Sequence, residues 1–165
     1  MSQKQLWILA GGNGVGKSTF YDRYLKKHGI LFVNADLIAD EEQSFCFETV
    51  FSHVSKIDFV GEAKARGYFV ILVYIHLNLP ELNLARVFQR VKDGGHDVPK
   101  DKIVSRIPRT VENVTKVLML ADEARLLDNS FSEDPFRQVA KIKAGLLTEK
   151  ADALPRWAKE MLKDF

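Results

Sequence analysis

Two rhythms alternate along this chain. Unbroken apolar runs suit strands buried on both faces, and apolar positions three and four apart suit helices. Gln5–Ala10 is the first unbroken run and ends at Gly11. From Lys17 to His28 the spacing turns helical, with Phe20, Tyr24 and Leu25 on one side and Gly29 as the stop. Ile30–Val33 reads as a second buried strand closing on Asn34, Ala35 and Asp36, and the aromatic-rich Ser44–Thr49 as a third. A helix over 54–66 places Val54, Ile57, Val60 and Ala63 on its inner face and ends at Gly67. Tyr68–Leu77 is the most apolar strand. Pro80 then opens a helix to Lys92 that is expected to bury Leu82, Ala85, Phe88 and Val91 before Gly94 and Gly95 break it. Asp97 suits the cap of a short helix over 98–107, and Val111, Val114, Leu118 and Ala121 mark a further helix. Ala124–Leu127 is the next strand, ending in Asp128, Asn129 and Ser130. Phe136–Ile142 suits an edge strand, and Leu154–Lys163 a last helix around Trp157 and Met161.

Strands alternating with helices on this scale predict a three-layer α/β sandwich around a mostly parallel five-stranded sheet, with an extra edge strand and a C-terminal helix in 131–165. Ligands in such folds sit at the carboxyl ends of strands. One connection resists the pattern: residues 37–43 are too few for a crossover between parallel strands, which takes a dozen or more. Either those strands are not parallel neighbours or a segment is missing from the numbering, and the second reading is preferred.

Composition narrows the class. The 165 residues, 46% of them hydrophobic, suit one domain over 1–165. Twenty-four basic against twenty-two acidic residues leave a net charge of +2, too balanced for a nucleic-acid-coating protein. No apolar run approaches the ~20 residues of a membrane span. The single cysteine, Cys46, has no partner for an internal disulfide, so a reducing cytoplasm is the expectation.

The strongest chemical signal is Gly11-Gly12-Asn13-Gly14-Val15-Gly16-Lys17-Ser18, which meets every fixed position of G-x-x-x-x-G-K-[ST]. With strand before and helix after, the stretch from Lys4 to about Leu25 reads as a P-loop, and the sandwich as a P-loop NTPase fold. Backbone N–H groups of Gly11–Gly16 would face ATP or GTP phosphates. Lys17 would reach the β- and γ-phosphates, Ser18 would offer its hydroxyl to Mg²⁺, and Thr19 would contact the α-phosphate. Asn129, at the end of the last parallel strand, is assigned to the nucleotide as well.

The loop alone does not choose a reaction. Transfer to a hydroxyl needs a carboxylate beside the γ-phosphate, and Asp36 holds the matching position. Glu48 and Thr49 suit either substrate hydroxyls or the water shell of Mg²⁺. Arg86, Arg90, Arg106 and Arg109 surround the Gly94-Gly95-His96 turn, which suits a lid over 94–109 carrying guanidinium groups to the phosphoryl group. No histidine or cysteine lies at metal-ligand spacing.

Taken together, A-G-G-N-G-V-G-K-S-T-F, N-A-D-L-I-A, F-E-T-V-F-S, P-E-L-N-L-A-R-V, G-G-H-D-V-P, R-I-P-R and L-L-D-N-S resemble the zeta-toxin-like P-loop ATPases, in their short bacterial form. The likeness runs from about Leu6 to Ser130. It implies transfer of the ATP γ-phosphate to a small-molecule hydroxyl, with UDP-N-acetylglucosamine or a related sugar nucleotide as the implied acceptor, and an antitoxin protein as partner. By the same likeness Lys17 is the P-loop lysine, Asp36 the general base, and Glu48 and Thr49 substrate contacts. The arginine clamp falls among Arg90, Arg106 and Arg109, with Arg106 and Arg109 assigned to the reacting phosphoryl group and Arg90 to substrate. Relatives carry a helical stretch between the Asp36 and Glu48 motifs that this chain lacks. A nucleotide-gated module that hydrolyses slowly and binds a protein partner is the competing function. A polynucleotide kinase fits the charge balance poorly.

Overall fold

The structure is a computed structural model and describes residues 3–33 and 43–165. Seven strands form one sheet in the order β2-β3-β1-β4-β5-β6-β7. These are β1 Gln5–Ala10, β2 Leu31–Phe32, β3 Phe45–Thr49, β4 Phe69–His76, β5 Glu123–Asp128, β6 Arg137–Lys143 and β7 Leu146–Lys150. The first five pair in parallel, and β6 and β7 add an antiparallel hairpin beyond β5. The helices are α1 Lys17–Phe20, which runs on through a π turn at Tyr21–Leu25 and a 3-10 turn at Lys26–His28, α2 Ser55–Ala65, α3 Pro80–Lys92, α4 Lys100–Val117 and α5 Arg156–Met161.

The period of two along each strand builds the two cores. Leu6, Ile8 and Ala10 of β1 and Val70, Leu72 and Tyr74 of β4 face α2, α4 and α5, where Phe59, Val60, Val114, Val117 and Trp157 meet them. Leu9 of β1 and Ile71, Val73 and Ile75 of β4 face the other way, toward Val15, Phe20 and Leu25. Helices on both faces of a sheet explain why β4 is buried at six consecutive positions. None of the helices among the described residues is long and apolar enough to cross a membrane. Cys46 is buried on β3, and burial pushes its thiol up to about 12, far from the thiolate that reacts.

Several expectations change. β2 and β3 are parallel neighbours, with Leu31 opposite Phe45, so the first of the two explanations for the short connection fails. Because β2 ends at Phe32 rather than at Val33, and β3 starts at Phe45 rather than at Ser44, residues 33–44 join the strands, about the dozen that a crossover takes. The expected missing segment falls at 37–43, of which only Gln43 lies within the described residues. Leu31 is 44% exposed, so β2 is a short edge strand rather than a buried one. The two helices expected over 98–121 are one, starting from Pro99 rather than Asp97 and passing straight through Pro108. The proline removes one hydrogen bond, but Ile103, Thr110, Val114 and Val117 keep an inward stripe on both sides of it. The inner face of α3 is also turned. Asn83 and Val87 are buried whereas Ala85 and Phe88 are exposed, because Asn83 is drawn in by a hydrogen bond to the loop after β1. On α2, Val54 stands outside and Phe59 packs edge-on against Phe47 instead.

β7 was not expected. Its L-L-T-E-K sequence is mostly exposed and carries little apolar signal. The turn before it, Ala144-Gly145, has both residues at positive φ, 47° and 75°, as a two-residue hairpin turn requires. Alanine is strained there and asparagine much less so. Ala144→Asn is expected to stabilise the chain by ~0.5–1 kcal/mol, read as a thermal midpoint raised by ~1–4 °C.

Candidate nucleotide-phosphate site

The loop after β1 is built by contacts that tolerate no side chain. Gly11 sits at φ +154°, and a Cβ there would collide with the Ile75 carbonyl oxygen of β4 and come within 2.7 Å of Val15 Cγ2. Gly16, at φ +104°, lies so close to Asn129 that a Cβ would fall 2.9 Å from its Nδ2. The chain is thus pressed onto the carboxyl ends of β4 and β5. Its first N–H is held from the other side, since Gly11 N donates to Thr49 O at 3.3 Å.

Side chains complete the arrangement. Lys17 Nζ curls back to donate to Gly11 O at 2.8 Å and Gly12 O at 3.1 Å. Burial lowers its pKa to about 8, with Glu48 opposing that shift and Arg90 adding to it. Ser18 Oγ donates to Glu48 Oε2 at 2.9 Å, joining the loop to the end of β3. These groups open on a cavity of about 610 Å³ whose wall includes Asn13, Thr19, Thr49, Arg23, Arg86 and Arg90 together with Phe131 and Phe136. Three guanidinium groups and an ammonium around one cavity favour a polyanion.

The remaining site residues divide. Thr49 lines the cavity while its hydroxyl accepts from Phe51 N at 3.0 Å. The loop it belongs to is fixed by α4, whose Thr110 Oγ1 donates to Val50 O at 2.8 Å and Asn113 Nδ2 to Phe51 O at 3.1 Å. Arg90 reaches the cavity wall and also donates to His96 O at 3.2 Å, which ties α3 to the following turn. The stretch 94–109 comprises an exposed turn over 94–99 and the first part of α4. Arg106 and Arg109 lie on that part of α4 and do not line the cavity. Asn129 does line it, but its amide is spent on Val15 O and Phe136 N. Asp36 falls outside the described residues.

Arg23, Phe131 and Phe136 are among the cavity residues to which the sequence assigns no role. Arg23 stands four residues after Thr19, one helical turn along the same face, and that spacing was available to find it. Phe131 and Phe136 had no such signal, because Phe136 reaches the cavity through a backbone at φ +57° that its neighbours do not announce.

A mostly parallel sheet with β1 inside it, opening through G-x-x-x-x-G-K-S onto a cavity at the strands' carboxyl ends, defines the P-loop nucleotide-binding fold. No protein-family profile matches the chain. It is 29% identical over 141 residues to an uncharacterized protein of Haemophilus influenzae, covering 64% of this chain and 99% of the relative. Its fold is similar to that of the AvrRxo1-ORF1:-ORF2 complex solved with ATP, at a TM-score of 0.68 and 19% identity over 98% of this chain. The chain spans 63% of the length of that structure. It is similar too to the structure of the PezAT chromosomal toxin-antitoxin system of Streptococcus pneumoniae, at a TM-score of 0.62 and 18% identity, covering 99% of this chain and 84% of the other. The resemblance to zeta-toxin-like P-loop proteins therefore holds at the level of fold.

Proposed function

We propose that this chain is an ATP-dependent phosphotransferase of zeta-toxin type, moving the γ-phosphate to a hydroxyl of a small molecule, with UDP-N-acetylglucosamine or a related sugar nucleotide as the first acceptor to try. The observation that carries the reading is the convergence of Lys17, the Ser18–Glu48 pair and Arg23, Arg86 and Arg90 on one cavity. ATP is preferred to GTP because the AvrRxo1 complex was solved with ATP.

A hydroxyl and a carboxylate are hard oxygen donors of the kind Mg²⁺ selects. No cluster of three metal-ligating His, Cys, Asp or Glu side chains exists among the described residues. Ser18 and Glu48 would thus hold the ion together with phosphate oxygens and water, the usual division for Mg²⁺. Bound there, it would neutralise phosphate charge. The protein's own groups do the rest. Lys17 leaves the Gly11 and Gly12 carbonyls for the β- and γ-phosphates, and Arg86 and Arg90 hold charge spread over the phosphoryl oxygens. Arg106 and Arg109 join them when 94–109 closes over bound nucleotide. Asp36 accepts the acceptor's proton.

An ADP-release assay across UDP-sugars, free sugars and nucleosides tests the reading. Stimulation by a hydroxyl compound supports it, and a rate no higher than that without acceptor counts against it. The alternative, a nucleotide-gated module, has its own support in the two-chain and toxin-antitoxin neighbours. An antitoxin-like partner is compatible with either. ATP-dependent capture of such a partner, with no acceptor turnover, would favour the module. Action in the cytoplasm goes with both readings.

The Lys17 environment adds a pH dependence. Its pKa is lowered to about 8 from the ordinary 10.5, so between those values the unfolded chain binds more protons than the folded one. The unliganded chain is therefore expected to gain stability as pH rises through that window. Phosphate favours the ammonium, so ATP affinity should do the reverse and fall as pH rises above about 8. Calorimetry in buffers of different ionisation enthalpy should register net proton uptake on binding near that pH.

A further inference from the structure

The phosphate loop is gripped by two asparagines that belong to other elements. Asn83 of α3 donates from Nδ2 to Asn13 O at 2.8 Å, and Asn129, just beyond β5, donates from Nδ2 to Val15 O at 2.9 Å. Both are nearly fully buried, at 2% and 7% exposure. Both oxygens of Asn129 are engaged as well. Its Oδ1 accepts from Phe136 N at 3.1 Å, and its backbone carbonyl accepts from Arg86 at 2.7 Å.

In a trans peptide the carbonyl and the following N–H point in opposite directions. Pinning the Asn13 and Val15 carbonyls toward α3 and β5 therefore directs the N–H groups of Gly14 and Gly16 to the other side, and both glycines line the cavity. We infer that Asn83 and Asn129 are positioning residues that orient the loop's amides for phosphate, and that Asn129 is not itself a nucleotide ligand. The inference rests on the reading of this cavity as a nucleotide-phosphate site. Asn129 has a second consequence, because its bond to Phe136 N also fixes the aromatic wall. The Phe136 ring meets Phe20 edge-on with centroids 5.5 Å apart, and Gly16 lies beneath it. One amide thus joins the phosphate end of the cavity to its aromatic part.

The test uses the full chain with Asn129→Asp and Asn83→Ala. The aspartate keeps an acceptor for Phe136 N but turns a carboxylate oxygen toward Val15 O. Calorimetry with Mg-ATP and with inorganic tripolyphosphate reads binding. Hydrogen exchange at the amides of residues 13–18, without ligand, reads the loop. Asn83→Ala is expected to weaken both ligands by the same factor, about tenfold for one lost buried hydrogen bond, Asn129→Asp by more because its carboxylate also repels the phosphates, and both variants to speed exchange in the loop while circular dichroism stays unchanged. Weaker ATP with unchanged tripolyphosphate would make Asn129 a base or ribose contact and overturn the inference. Unchanged binding of both ligands would overturn it too. If Asn129→Asp does not fold, Asn83→Ala carries the same comparison. Wild-type protein that binds neither ligand ends the nucleotide reading. The exchange measurement still judges the asparagines separately, since unaltered loop exchange in both variants rejects their positioning role.

Discussion

Lys17→Ala is expected to lower turnover of ATP by ~10²–10³-fold while the chain stays folded. The ammonium is the one charged group the loop itself supplies, and it is held without ligand by two backbone carbonyls at 2.8 and 3.1 Å. Those two bonds are what phosphate oxygens would replace. Losing them in the variant costs little stability, because removing the side chain also removes the unfavourable burial of its charge, which already lowers its pKa to about 8. The thermal midpoint should therefore move by only a few degrees in either direction, on the order of 1 kcal/mol. A melting curve and a turnover assay on one preparation decide the matter. Full activity in a folded variant would end the P-loop argument, and an unfolded variant would make Lys17 structural.

Asp36→Asn is expected to separate binding from chemistry. Asparagine keeps the shape of the side chain and removes its basicity, so phosphoryl transfer should fall by ~10²–10⁴-fold while ATP affinity changes by no more than about twofold. The comparison needs the acceptor identified by ADP release, then a titration with ATP alone. Equal loss in both measurements would mean that Asp36 holds the metal shell or the local fold. Unchanged transfer would remove it from the chemistry. The prediction follows from sequence position and family resemblance, since the structure describes the chain only up to Val33 and again from Gln43.

What the sequence made legible follows physical rules of different reach. β1 and β4 were readable to within a residue because burial on both faces leaves an unbroken apolar run. The P-loop was readable because it depends on neighbours in the chain, glycines and a lysine at fixed offsets. Asn83 was not. Its value comes from a carbonyl seventy positions earlier in the chain, and on the helical wheel it is a polar residue outside the expected face of Leu82, Ala85, Phe88 and Val91. The same gap explains Asn129, whose place in the cavity was foreseen but whose amide proved committed to the loop. The arginines divide likewise. Spacing put Arg106 and Arg109 on one face of a helix, whereas the path of α3 brought Arg86 and Arg90 to the cavity. The separate helices expected over 98–107 and around Val111–Ala121 are one because the inward stripe of Ile103, Thr110, Val114 and Val117 carries α4 through Pro108.

The hairpin of β6 and β7 decides which strand edge the sheet presents to solvent. An exposed strand edge is a template for pairing with another chain, and proteins blunt such edges with short or charged strands. Here β2 at one end is two residues long, and β7 at the other ends in Thr148, Glu149 and Lys150. Without the hairpin the sheet would end at β5, whose residues are mostly buried and apolar at Ala124, Leu126 and Leu127. β7, which has no counterpart among the strands the sequence predicts, thus gives the sheet a short, polar edge in place of the apolar one that β5 would present.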